Sequence, residues 1–423
     1  MRFSLTIALL LAASMSLALA RHSVFAAAAQ RAGVFDQSMN HPAIKYSTSD
    51  SNTVVDELNR KLADGSAKLA FDEKTGYLKS VLDLLKIPVE SQVLVYTQTS
   101  QQANHITMTN PRAIYFNDEV SVGYIRGAGM LELVAQDAKL GSIFYVVHQD
   151  GRLREGASAS QAGRGPRFGR ESQCLRCHLS WDTLGVPGLS VLSTMPRKSD
   201  RDYANGFFVD HYRQIQERWG GWYVTGTRVP ARHMGNLPLI MAKPVAVPPP
   251  ARVSLKGQFD LSGYLTPYSD IVALMVLDHQ AHFSNLVTRA TWEARLGEGG
   301  GQELRIAEAA QTIADYLLFV GEAPITDGPI VGSSGFAERF TAQGRKDAKG
   351  RSLRELDLKT RLQKYPLSYM IYSPQFQALP EAPKNLVMGR INDVLSGKIG
   401  GAKYAHLTPD IRAAIREILK ETL

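Results

Sequence analysis

The sequence predicts an α+β protein. It should have a mixed N-terminal region with an antiparallel β-meander, an irregular middle, and a mainly helical C-terminal part. Three observations predict this. Between residues 92 and 147, short runs rich in β-branched and aromatic residues alternate with turn residues. Around residues 54–86, and again beyond residue 269, apolar residues recur at helical spacing. Between residues 181 and 250 regular pattern is scarce, and Gly, Pro and Trp are frequent.

Composition narrows the class. The chain has 423 residues, 44% hydrophobic and 21% charged, with 48 Lys+Arg against 40 Asp+Glu. These values exclude a disordered chain, a collagen-like chain and a polytopic membrane protein. Two cysteines are too few for a disulfide scaffold, and a chain this long buries a core without one. The positive charge is spread along the chain and no nucleic-acid motif accompanies it, so it reads as a mildly basic solvated surface.

Taken in order, residues 1–20 (MRFSLTIALLLAASMSLALA) combine Arg2, an apolar stretch from Leu5 to Ala13, and a small-x-small ending at Ala18, Leu19 and Ala20. That is the pattern of a secretory signal peptide. The alternatives are an uncleaved N-terminal anchor or a later cut at Ala26 to Ala29. Removal of residues 1–20 takes one Arg and leaves 47 basic residues against 40 acidic, a charge of +7. No later window offers 18 uninterrupted apolar residues, since the best candidate, residues 271–277, runs into Asp278 and His279. The expectation is a periplasmic protein with no stable membrane insertion once the signal is removed.

Residues 21–53 are polar and irregular. Residues 54–86 carry helical patterning through Val54, Val55, Leu58 and Leu62, then Leu78, Val81, Leu82, Leu84 and Leu85, and Pro88 closes the run. Strands are expected at 92–97, 112–116, 120–124, 131–134 and 143–147, close enough together for an antiparallel meander. Residues 151–172 read as a Gly/Ser/Arg-rich connection, and Pro244, Pro248, Pro249 and Pro250 as a stiff linker. Ser269 and Asp270 should cap a long helix reaching Arg295. Further helices are expected at 303–320, 353–363, 384–395 and 409–419.

Both cysteines fall within Cys174-Leu175-Arg176-Cys177-His178. This is C-x-x-C-H, the attachment signal for c-type haem. Two thiols one helical turn apart can each add to a vinyl group of the macrocycle, and the adjacent imidazole can then face the iron. A thiol–disulfide pair lacks the expected βαβ setting here. A zinc site needs about four ligands, and this segment offers three. The motif uses every cysteine in the chain, and haem c matures outside the cytoplasm, where the N-terminal pattern would send it.

On these residues the chain resembles the c-type cytochromes. The resemblance implies that Cys174 and Cys177 are the thioether residues and His178 the proximal ligand of one covalent haem c and its iron. Residues 183–190 (TLGVPGLS) are similar to the Gly/Pro-bearing loop that lies against the haem edge in small cytochromes. The likeness covers residues 165–245 and is specific at the five-residue motif. The chain is about four times longer than a small cytochrome, and its flanks resemble those of exported bacterial proteins with one such motif, a likeness that adds no activity. The chain then divides into residues 1–20 (signal peptide), 21–160 (mixed α/β-meander region), 161–250 (cytochrome c-like haem-binding segment) and 251–423 (helical region).

A second axial ligand would be Met or His in an electron carrier, and Met raises the potential. Met234, in a Gly-bounded loop 56 residues after His178, has the spacing of a small cytochrome's methionine. Met195 and His233 are the other candidates, beside an open site. His279 and His282 share one helical face at i, i+3, but no third metal ligand is evident, so one reads as a capped core residue and the other as a surface residue. Trp181, Trp219, Trp222 and Tyr223 cluster around the motif in sequence, and such rings either wall a haem or simply pack in the core. Arg170, Arg176, Arg197 and Arg232 are candidates for its propionates.

No G-x-S-x-G, Walker A or Rossmann fingerprint occurs. The first functional expectation is therefore electron transfer with a periplasmic or membrane-bound redox partner. The alternatives are a peroxidase-like haem oxidoreductase, with His211, His233 or Arg232 on an open distal side, or a haem-based sensor of small ligands.

Overall fold

The computed structural model describes residues 39–149, 166–199, 201–202, 205–241, 252–296 and 301–423. The expected signal peptide, residues 151–165 of the connection expected over 151–172, and the prolines of the expected linker lie outside the described residues. The fold is α+β, as the sequence predicts.

The first helix, α1 (Val54–Asp64), starts where the chemistry demands. Thr53 and Asp56 form a reciprocal capping box, and Gly65, at φ 79°, ends the helix in the left-handed region. α2 (Leu78–Leu84) follows. The single helical run expected over 54–86 is thus two helices separated by a turn, with Asp72 bridging Gly76.

The meander follows in the order β1 (Val93–Val95), β2 (Arg112–Phe116), β3 (Val120–Tyr124), β4 (Met130–Asp137), β5 (Gly141–His148) and β6 (Gly169–Arg170), antiparallel throughout. Because side chains alternate, this register sorts the sheet into two faces. Ala113, Tyr115, Val122, Leu131, Leu133, Ala135, Ile143, Tyr145 and Val147 bury one face against α1 and α2. The other face carries Arg112, Ile114, Gly123, Glu132, Val134, Phe144 and Val146.

The middle of the chain adds to the sheet edge. Tyr96 N–H donates to Gly221 O (2.8 Å), Tyr223 N–H donates to Leu94 O (2.9 Å), and Trp222 bridges Val95. A hairpin, β7 (Val191–Thr194) with β8 (Gly206–Val209), was not expected from the sequence. Each strand is four residues long, too short for a periodic signal.

The C-terminal part wraps a single long helix, α4 (Ile271–Arg295), the fourth in chain order after the short α3 (Leu175–His178) that carries the motif. Asp270 caps α4: its Oδ1 accepts from Val272 N (2.8 Å), and its Oδ2 accepts from Ser333 N and Ser334 N. Buried on nearly all sides, α4 forms the axis of a large core with α5 (Gln302–Leu317), α6 (Phe336–Ala342), α7 (Pro374–Gln377), α8 (Glu381–Ser396) and α9 (Pro409–Thr422). The helix expected over 353–363 does not form. There Asp357 Oδ1 accepts from Lys359 N and Thr360 N, Leu358 takes φ 56°, and Leu356 bridges Gln363. Asp and Thr offer the backbone turn partners that compete with a helix. No helix among the described residues is long and apolar enough to cross a membrane.

Candidate haem-attachment site

The motif forms one turn of helix on the second face of the sheet. Cys177 N–H and His178 N–H both donate to Cys174 O (3.1 and 3.0 Å). This places the two thiols on one turn beside the imidazole. Both cysteines are free thiols, Cys174 partly buried and Cys177 exposed.

His178 is the best-held residue of the three. Its Nδ1 lies 3.0 Å from Gly188 O, and Gly188 N–H donates back to His178 O (2.9 Å). A carbonyl only accepts, so Nδ1 carries the proton and the lone pair is on Nε2. Burial pushes the imidazole pKa down to about 4, so the ring is neutral at neutral pH. The ring packs on Phe144 of β5 at 4.8 Å between centroids. Burial also raises the Cys174 thiol to about 12, with the carboxylates of Glu132 and Glu171 adding to the rise.

Gly188 is itself clamped. Asn285 on α4 accepts from Leu189 N (3.1 Å) and donates to Leu189 O (2.7 Å). A Cβ on residue 188 would stand 2.1 Å from Asn285 Oδ1, so only glycine fits. The chain of support therefore runs from α4 through Asn285 and the 188–189 backbone to His178. Sequence reading found the loop at 183–190 but not Asn285. A polar residue on a helix this apolar was the available signal.

The loop that carries Met234 docks elsewhere along α4. Met234 N–H donates to Arg218 O (3.0 Å), and Arg218 lies 3.7 Å from Asp278. Asp278 and Asn285 are seven residues apart on α4, or about 10 Å at 1.5 Å per residue. Met234 is half-buried, and Met195 is 49% exposed. His233 is buried, its Nδ1 has no partner, and burial lowers its pKa to about 4. Among the described residues no hydrogen bond or ring contact joins Met195, His233 or Met234 to the motif.

Of the two roles open to the aromatic residues, Trp219, Trp222 and Tyr223 take core packing. Trp219 donates to Asp278 Oδ2 (3.0 Å), Trp222 to Leu192 O (2.8 Å) and Tyr223 to Met108 O (2.7 Å). Pairing of residues 221–223 with β1 draws these rings into the two cores. Only Trp181 stays beside the motif in sequence, and it is 62% exposed. Of the arginines, Arg170 donates to Ser49 O (2.9 Å) and to Tyr46 O, and stacks on the Tyr46 ring. Arg176 and Arg232 are exposed.

His279 and His282 are both buried, which corrects the expectation that one reaches the surface. His211 Nδ1 and His279 Nδ1 are 2.9 Å apart, His279 Nε2 lies 2.7 Å from Ser368 Oγ, and Tyr316 stacks on His211 at 4.0 Å. Among the described residues no three His, Cys, Asp or Glu side chains converge to hold a bare metal ion. A haem needs no such group, because the macrocycle supplies four nitrogens itself. Two free thiols on one turn and a neutral imidazole with Nε2 free are the donor set that haem c takes.

Comparisons with protein-family models, with curated proteins and with solved structures found no match.

Proposed function

We propose that this chain is an exported monohaem c-type cytochrome that transfers electrons in the periplasm. The observation that carries the reading is the Nδ1–H bond from His178 to Gly188 O, next to two free thiols on the same turn. A ligating histidine commonly gives its other N–H to a carbonyl, which fixes tautomer and ring orientation. Each thiol, of Cys174 and of Cys177, would add across one vinyl group, forming a C–S and a C–H bond with no leaving group. Bound there, the haem supplies a one-electron ferric/ferrous couple. The protein's own part is to orient His178, hold the thiols on one turn, and cover the imidazole with the Phe144 ring. Met234 is the sequence's candidate for a second axial ligand, but its loop is held near Asp278 rather than at the motif, so the haem reading rests on Cys174, Cys177 and His178. The partner is a periplasmic or membrane-bound redox protein.

The ferrous optical spectrum of the purified holoprotein, with and without CO, tests this. A low-spin spectrum unchanged by CO supports electron transfer through a six-coordinate haem. A five-coordinate, CO-binding haem would replace that reading with a peroxidase-like enzyme or a sensor.

A further inference from the structure

The sheet face beside the motif carries charge where an apolar surface would pack as easily. Arg112 Nη1 pairs with Glu132 Oε2 at 3.2 Å, each side chain about four-fifths buried (18% and 19% exposed). Glu132 Oε1 accepts from Ser100 Oγ (2.8 Å) and Gln102 Nε2 (3.4 Å). Between them, Gln101 brings its Nε2 to 3.6 Å from Cys174 Sγ. The loop 100–102 therefore ties the ion pair to the first thiol.

Three features suit this pair to an anion rather than to the fold alone. Arg112 Nε is buried and has no partner, although its Nη1 is engaged. Arg112 and Glu132 stand on the same sheet face as Phe144, on which the His178 ring packs. Gly123, on β3 between β2 and β4, leaves the face low: a Cβ there would have Arg112 Cδ and Glu132 as its nearest neighbours, none closer than 3.6 Å. A partly buried ion pair stabilises a fold little by itself. Arginine, however, recognises a carboxylate with paired, charge-assisted hydrogen bonds.

We propose that Arg112, held in place by Glu132, binds a propionate of the haem attached at Cys174, Cys177 and His178. The inference rests on the haem reading above and assigns a residue outside the four arginines that spacing suggested. Glu132 is a positioning residue, and Arg112 touches the cofactor.

The test uses the holoprotein and its Arg112→Gln, Arg112→Lys and Glu132→Gln variants. The readouts are covalent haem per chain, midpoint potential, and the propionate-bending band of the resonance Raman spectrum. Arg112→Gln should shift that band and lower the potential, because a positive charge leaves the haem carboxylate. Glu132→Gln should raise the potential, and Arg112→Lys should stay near wild type in potential. Haem-loaded Arg112→Gln with an unchanged band and potential would overturn the proposal. If Arg112→Gln fails to fold, Glu132→Gln decides, and a potential unchanged or lowered in that variant overturns it. Wild-type protein without covalent haem would instead remove the haem reading on which the proposal stands.

Discussion

Two regions of this molecule hold neutral imidazoles, half-buried at the motif and fully buried under α4, and they differ in what those imidazoles can reach. At the motif, His178 spends one nitrogen on Gly188 O and keeps the other free, beside two unpaired thiols. Under α4, His279 spends both nitrogens, on His211 Nδ1 and on Ser368 Oγ, with Tyr316 stacked across both rings, while His211 Nε2 is enclosed without a partner and has no thiol in its cluster. Both settings depress the imidazole pKa by burial. The comparison teaches that a depressed pKa does not mark a site. A free lone pair next to compatible chemistry does.

The largest expected effect separates the two regions outright. Cys177→Ala should abolish the two-thioether linkage and most covalent haem staining, and His279→Ala should leave staining per folded chain unchanged. Equal losses in both variants would dissolve the distinction. Stability should run the other way. His279→Ala opens a fully enclosed site and removes the ring partner of His211 Nδ1 and of Ser368 Oγ, at a cost of about 2–5 kcal/mol in denaturant unfolding. Comparable losses from Cys177→Ala, at an exposed position, would contradict the structural assignment.

Asn285→Ala sharpens the contrast further. It strands Leu189 N–H and C=O, costs about 1–3 kcal/mol, and removes the clamp that seats Gly188 against His178. The expected readout is a changed iron–histidine stretching band. A variant that is destabilised but spectroscopically unchanged would leave Asn285 as a packing residue only.

The smallest effect is in pH. His279 is lowered to about 3 by burial. The unfolded chain protonates near the ordinary value of 6.5, while the folded chain stays neutral. The unfolded state thus binds more protons between those limits, and the histidine costs stability as pH falls through that window, about 1.4 kcal/mol per pH unit. Asp278 and Glu322, each raised to about 7 by burial, act with the opposite sign. The difference between wild type and His279→Gln isolates the histidine. Wild type's advantage should be smaller at pH 5 than at pH 7.5 by about 2 kcal/mol, and a constant difference would sink the account.

Much of this organisation was legible in the chain itself. Strands at 112–116 and 120–124 have the bounds the β-branched runs implied, and Asp270 caps α4 as its sequence context suggested. These features depend on local chemistry. What escaped depends on distant partners. The ring positions of Trp219 and Trp222 follow from pairing at the β1 edge, more than 120 residues away in sequence. The turn at 353–363 has leucines at near-helical spacing, but Asp357 and Ser352 bind its backbone instead. At the site, the motif announced the thiols and the imidazole. Gly188, Asn285 and Arg112 became visible only when register and packing brought them beside it.

The central claim is that Cys174, Cys177 and His178 hold one covalent haem. Intact-mass analysis of the chain, expressed in a host that matures c-type haem, tests it most directly. A mass increase of one haem per chain and a pyridine haemochrome spectrum of the two-thioether type are expected, both lost when the two cysteines are replaced by alanine. A chain that leaves that host at its bare polypeptide mass, with both thiols free to alkylate, would contradict it.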